Sequence, residues 1–263
     1  MSYGASAFPP VWKNIIGYDK PSTIRPYEKR MNADELALSL RETISRGLVL
    51  YLPFVRFISH RPDTITKVFD RSPFGNHGTI HGAVWQTLPS GKSALSFDGV
   101  DDYVDCGNDE SLNIADEITL MVWVKPDDYS DINVIVHKRC CDGRPYYSWV
   151  IRLLTDGGFR FSVSNGIKIF HAETSYNLGT TWHHVVGVFD GSKLRLFVNC
   201  VLKAEQDFSG NVALGDYPVE IGRWNGEAYY FNGTIGEVRI YNRALSEEEI
   251  KRLYELTRVF YGV

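Results

Sequence analysis

Apolar positions along this chain recur at two different periods, and the switch between them divides it. In NADELALSLRETISRG, Leu36, Leu40 and Ile44 fall at helical spacing, Asn32 stands where an N-cap would, Glu35 lies three residues on, and Gly47 follows the last turn. This predicts a short helix over 32–47. From Leu48 onward the apolar segments become short, β-branched or aromatic, and are separated by Gly, Asn and Asp: LVLYLPF, ALSF, YVDC, ITLMVWV, INVIVH, YYSWVIRLL, FRFSVS, HHVVGVFD, LRLFVN, VEIGRW and GTIGEVRIYN. About a dozen such strands predict an all-β sandwich rather than an alternating βαβ fold. In FRFSVS and LRLFVN apolar and polar residues alternate, so one face meets a core and the other meets solvent, the habit of antiparallel sheets. Helical period returns in RALSEEEIKRLYELTR, where Ser246 and Glu249 read as a capping box and Leu245, Ile250, Leu253 and Leu256 as the apolar stripe of a C-terminal helix.

Residues 1–31 follow neither period. Their apolar content is aromatic and proline-rich, with Phe8, Pro10, Trp12, Tyr18 and Tyr27 prominent. Such a segment has no core of its own and reads as an extended arm that packs on something else, another subunit included. The organisation expected is therefore an arm over 1–31, a linking helix over 32–47, and a sandwich over 48–263.

Charge narrows the partners. The 28 Lys+Arg against 32 Asp+Glu leave a formal −4, so no global attraction toward a phosphate backbone exists and nucleic acid is not an expected partner. No apolar run reaches the roughly 18 residues a spanning helix needs, so no membrane insertion is expected. The opening MSYGASAFPPVWKNIIGYDK lacks the basic start, apolar stretch and small-residue cleavage site of a secretory signal. The four cysteines, Cys106, Cys140, Cys141 and Cys200, are too few for a disulfide scaffold and lack metal spacing.

Five segments taken in order, GLVLYLPF, FDRSPFGNHGTIHGAVW, SALSFDGVDDYVDCGNDESLNIADEITLMVWVKP, TTWHHVVGVFDGSKLRLFVNCVLKA and GTIGEVRIYNRALSEEEIKRLY, together resemble the laminin-G/concanavalin A-like jelly-roll family in its short form, from about Leu48 to Leu256. The resemblance implies a two-sheet antiparallel jelly-roll sandwich, here flanked by the N-terminal arm, the short helix and the C-terminal helix. It implies that Phe97 and Val104 point into the core, that Asp98-Gly99 turns the chain, and that Trp182 and Val185 anchor a central strand. Members often hold a structural calcium beside the first turn. The matching residues are Asp70 and Asn76, with a carbonyl from Gly75 and the Glu237 carboxylate brought alongside; an Asp/Asn/Gly turn presents the oxygens that calcium needs. The alternative is that Asp70 and Asn76 only cap the turn by side-chain to backbone hydrogen bonds. Asp98, Asp101, Asp102 and Asp105 form a second acidic group.

Glycan-cleaving relatives carry paired carboxylates on alternate strand positions, and no such array occurs here: Glu117 and Glu220 are isolated, and Glu247, Glu248 and Glu249 open a helix. A non-enzymatic protein is expected. Aromatic residues in turn-rich segments, Tyr146, Tyr147, Trp224, Tyr229, Tyr230 and Phe231, with Asn225 between them, are candidates to stack on sugars or on a protein. Two functions fit. In the first, the jelly roll is a decoration protein of an assembly, most plausibly a virion surface, tethered by its arm to other subunits or a capsid scaffold. In the second it is a secreted or cell-surface lectin-like module.

Overall fold

The computed structural model describes residues 44–54, 66–129, 131, 133–141, 147–174, 178–224 and 229–263. The arm over 1–31 and all but the end of the helix over 32–47 lie outside them. None of the helices described is long and apolar enough to cross a membrane.

Among the described residues, sixteen strands, all paired antiparallel, form two eight-stranded sheets. In chain order they are β1 (Leu48–Leu52), β2 (Lys67–Val68), β3 (Gly78–His81), β4 (Val84–Thr87), β5 (Ser93–Asp98), β6 (Tyr103–Asp105), β7 (Ile118–Pro126), β8 (Asn133–Arg139), β9 (Tyr147–Leu153), β10 (Phe159–Ser164), β11 (Ile169–Glu173), β12 (His183–Phe189), β13 (Lys193–Val198), β14 (Val201–Asp207), β15 (Val219–Ile221) and β16 (Asn232–Tyr241). The first sheet runs β14-β13-β12-β7-β16-β5-β4, and β1 shares the free side of β16 with β5. The second runs β11-β10-β9-β8-β15-β6-β3-β2. Hairpins of consecutive strands alternate with long crossovers, β12-β7, β7-β16 and β16-β5 in the first sheet and β8-β15, β15-β6 and β6-β3 in the second, as jelly-roll topology requires.

Alternation along each strand decides what lies between the sheets. Leu120, Val122, Val124, Val185, Phe189, Ile235, Val238 and Ile240 of the first sheet meet Ile135, Trp149, Ile151, Phe159, Phe161 and Val163 of the second in one continuous core. Phe97 and Val104 lie within it, and Gly99 turns the chain after Asp98 with φ of 78°. Packing is closest where Gly187 on β12 meets the Phe161 ring: a Cβ there would stand 2.3 Å from Cγ. The Asn199-Cys200 hairpin takes positive φ at both positions, 51° and 58°, the primed turn that suits strand twist. Val185 is a core residue as expected, whereas Trp182 is half-buried outside the core against Tyr261.

The outer face of the first sheet is sealed. Met121, Val186, Val188, Phe197 and Tyr241 are covered by Ile250 and Leu253 of the C-terminal helix, Glu247–Thr257, and by Leu245 just before it. Ser246 Oγ accepts the Glu249 N–H at 3.2 Å and the Glu249 carboxylate accepts the Ser246 N–H at 2.9 Å, so the capping box is formed. Beyond the helix, Tyr261 stacks on Trp123 with centroids 4.3 Å apart, and Trp123 Nε1 donates to Thr257 Oγ1 at 2.8 Å.

Candidate functional site

Two places in this frame gather polar side chains: the turn before β3 and the outer face of the second sheet. In the turn, Asp70 is buried and its carboxylate is fully used. Oδ1 accepts the N–H groups of Tyr51 and Ser72, each at 2.8 Å, and Oδ2 accepts the Ser72 hydroxyl at 2.6 Å and the Asn76 N–H at 2.7 Å. Asn76 Nδ2 donates to the Val49 carbonyl and to Ser111 Oγ, both at 2.9 Å. Gly75 takes φ of 75°, and its carbonyl accepts from the His77 N–H. Glu237 does not join them. Its buried carboxylate is held by Arg239 Nε at 2.9 Å and Lys92 Nζ at 3.3 Å. A calcium ion would have to displace four donors from Asp70 and compete with two cations for Glu237, so this arrangement does not fit the ion. Asp70 and Asn76 instead organise the turn and tie it to β1. Elsewhere, oxygens of Asp98, Asp101 and Asp102 lie within 4.8 Å of one another, and Asp98 Oδ1 and Asp102 Oδ2 accept backbone N–H groups of the same turn.

The outer face of the second sheet differs from that of the first: none of the described helices packs on it. Residues that alternate with the core positions point this way. His137 on β8 stands in register with Glu220 on β15 and Val150 on β9. The His137 ring stacks on Trp224 with centroids 4.9 Å apart at 18°, and Tyr147 meets Trp224 edge-on at 5.4 Å. Tyr147, Val134 and Val150 form a small apolar cluster under Trp224, separate from the main core. On the other side, Arg223 bonds Glu220 and lies over the Tyr103 ring, 3.2 Å from Cζ to centroid, and Tyr103 stacks on His81 at 4.2 Å. A row of rings interleaved with charge therefore crosses the sheet from β3 to β9.

Electrostatics along the row follow burial. Glu220 lies 3.7 Å from His137 Nε2 and would favour the imidazolium. Burial outweighs it, reinforced by Arg223 and Arg139, and lowers His137 to about 3. The imidazole is neutral at neutral pH and presents a flat surface to Trp224. Burial also opposes the charge of Arg223, but the bond to Glu220 holds it above the usual arginine range. Toward β11, Arg160 pairs with Glu173. Both acidic groups on this part of the face are thus engaged by arginines, an arrangement suited to holding a ligand through rings and guanidiniums.

Of the aromatic candidates, Tyr147, Trp224, Tyr229 and Tyr230 come together here. Tyr230 bonds Arg223, and the Tyr229 carbonyl accepts the Val134 N–H at 3.0 Å. Tyr147 is a correction: it is a buried strand residue, not an exposed loop aromatic, and Phe231 is fully buried in the core. Tyr146 and Asn225 lie outside the described residues, as do Phe8, Pro10, Trp12, Tyr18 and Tyr27. The sequence reading missed His137, Glu220, Arg223, Arg152 and Arg160. The signal available for Arg152 and Arg160 was a lone arginine between two apolar core positions in WVIRLL and in FRFSVS, which puts it on the face away from the core. Cys106 is a buried thiol, and Cys140 and Cys141 form no disulfide, their Sγ atoms lying 3.1 Å apart.

No curated protein sequence matches the chain. Among solved structures it is similar to the binding domain of Paraclostridial mosquitocidal protein 1, with TM-score 0.61 and 18% identity over 79% of this chain and 52% of that one. The botulinum neurotoxin serotype G binding domain gives TM-score 0.62 and 13% identity over 80% of this chain and 51% of its own. The chain thus spans about half the length of these toxin domains. It spans 99% of domain 4 of AbnA, an extracellular arabinanase from Geobacillus stearothermophilus solved with arabinotriose, with TM-score 0.62, 18% identity and 80% of this chain covered. At these identities the likeness is one of fold. A family model described as the concanavalin A-like lectin/glucanases superfamily matches residues 98–251, and because that is more than half of the 263 residues, the chain belongs to this superfamily.

Proposed function

We propose that the protein is a non-enzymatic glycan-binding module and that its binding face is the outer surface of the second sheet around Trp224. The observation that carries this reading is the half-buried Trp224, stacked on neutral His137 and braced by Tyr147, on a sheet face bordered by arginines. An indole held rigidly beside hydrogen-bonding groups is the arrangement that receives a sugar ring, with an apolar face for the C–H surface and donors for the hydroxyls. The arabinanase domain solved with arabinotriose and the toxin binding domains support a binding role on the same architecture. The ligands this reading calls for are extracellular or surface glycans. It is compatible with display on a virion or other assembly through the arm over 1–31, since a decoration protein can carry a glycan site.

The test is a glycan array probed with the intact chain and with Trp224→Ala. The wild-type chain is expected to bind a defined subset of glycans, and removal of the indole to weaken that binding about tenfold or more. Unchanged binding by the variant, or no binding by the wild-type chain, overturns the proposal.

A further inference from the structure

We propose that Arg152 is the anchor of an anion subsite on this face, so that the glycan taken carries a carboxylate or a sulfate; this rests on the glycan-binding reading above. The starting observation is the register. Arg152 on β9 stands directly opposite Arg160 on β10, and its partner on the other side, on β8, is Val134. Like charges facing each other across an antiparallel pair destabilise the sheet. Arg160 is compensated by Glu173, its register partner on β11. Arg152 has no such direct partner: among the described residues it makes no ion pair and no hydrogen bond, its Nε is buried without a partner, and the Glu173 carboxylate acts on it only from a distance. One carboxylate serves two guanidiniums.

That arrangement is costly for the fold alone, because a charge drawn out of water needs a partner to offset the lost hydration. Burial, with Arg160 beside it, pulls Arg152 below the usual arginine range. The surroundings are built to receive a polar group. The Ser162 hydroxyl, two residues along β10 from Arg160 on the same face, is fully buried and faces the Tyr147 hydroxyl, and neither oxygen is otherwise engaged. Tyr147 in turn braces Trp224. A planar guanidinium presents two parallel N–H donors that match the two oxygens of a carboxylate or sulfate. A sugar seated at Trp224 and bearing such a group would place the missing negative charge between Arg152 and Arg160.

The experiment uses the intact chain, Arg152→Gln and Arg152→Lys on an array of neutral, uronate-bearing, sialylated and sulfated glycans, followed by titration calorimetry of the best acidic binder and a neutral counterpart at two salt concentrations. The wild-type chain is expected to prefer acidic glycans, more so at low salt. Arg152→Gln is expected to weaken acidic binding about 30-fold and neutral binding far less, and Arg152→Lys to recover part of the loss. Because the glutamine variant removes an uncompensated charge facing Arg160, its melting temperature should equal or exceed that of the wild-type chain, which separates lost binding from lost folding. Preference for carboxylated glycans alone, or for sulfated ones alone, supports the inference and names the group. Binding of neutral glycans through Trp224 with no acidic preference overturns it and leaves the glycan-binding reading standing. An acidic preference that survives in Arg152→Gln overturns the assignment to Arg152. No glycan bound at all overturns both.

Discussion

Replacing Asp70 by Asn separates a turn organiser from a cation ligand. In the wild-type turn the carboxylate accepts four hydrogen bonds, two on each oxygen. Asparagine can keep its oxygen toward the Tyr51 and Ser72 N–H groups, but its amide nitrogen then meets the Ser72 hydroxyl and the Asn76 N–H. The hydroxyl has an alternative, since Ser72 Oγ already lies 3.1 Å from the Val49 carbonyl. The Asn76 N–H has none, and Asn76 is buried. The loss therefore concentrates on one unsatisfied buried donor, about 1–3 kcal/mol, together with the weakening of two charge-assisted bonds to neutral ones, which brings the total to about 2–4 kcal/mol. Urea unfolding in EDTA and again in millimolar calcium measures it. The expected result is a wild-type midpoint that calcium at this turn does not move, and an Asp70→Asn midpoint lowered equally in both buffers. A wild-type chain stabilised by calcium, with Asp70→Asn abolishing that gain and changing little in EDTA, would refute the reasoning and restore Asp70 as a metal ligand.

Acid should destabilise the fold through two histidines. Burial lowers both His137 and His184 from an ordinary 6.5 to about 3, helped by Arg223 and Arg139 at the first and by Arg239 at the second. Each is neutral in the folded chain and gains a proton on unfolding. Their contribution is therefore complete above pH 6.5 and is lost as pH falls toward 3, at up to about 1.4 kcal/mol per pH unit for each. Urea midpoints measured between pH 7 and 4 should show this slope, and His184→Gln should flatten it; an identical slope in the variant would assign the acid sensitivity to other groups. Separately, Gly187→Ala forces a Cβ to 2.3 Å from the fully buried Phe161 ring. The clash should cost about 1–3 kcal/mol by chemical denaturation, and an unchanged midpoint would mean that the sheets pack less closely here than described.

The architecture was legible because its signals are local. Alternation in LRLFVN and the Ser246 to Glu249 spacing each determine an element without reference to the rest of the chain, and both elements form as expected. The candidate site was only half legible, for a physical reason. Trp224 and Tyr147 declare themselves as large rings near turns, but the same pattern cannot tell a rim residue from a strand residue, so Tyr147 and Phe231 were expected in the open and are buried. Glu220 looked isolated because its partners His137 and Arg223 are assembled by strand order: β15 lies between β8 and β6, an adjacency set by long connections. Nor could the sequence show that Lys92 and Arg239 hold the Glu237 carboxylate, for which the expected calcium would have to compete.

On the glycan-binding proposal, the two outer faces of the sandwich divide stability from recognition. On the first sheet the cross-strand positions are apolar and the chain covers them with its own C-terminal helix, so a truncation at Ile250 or Leu253 removes buried contacts and acts on folding. On the second sheet, polar and charged groups occupy the equivalent positions of central strands, where covering them with apolar residues would have stabilised the fold more. A charged face built for stability alone would alternate sign across the strands. The pair Arg160 and Glu173 does so, and Arg152 opposite Arg160 breaks the pattern at the point where Ser162 and Tyr147 hold hydroxyls ready. Locally unfavourable pairs persist where something outside the fold relieves them. It follows from the proposal that variants of the first outer face should move the melting temperature, whereas Trp224 and Arg152 variants should move binding while the melting temperature stays or rises; the same response from both faces would refute the division.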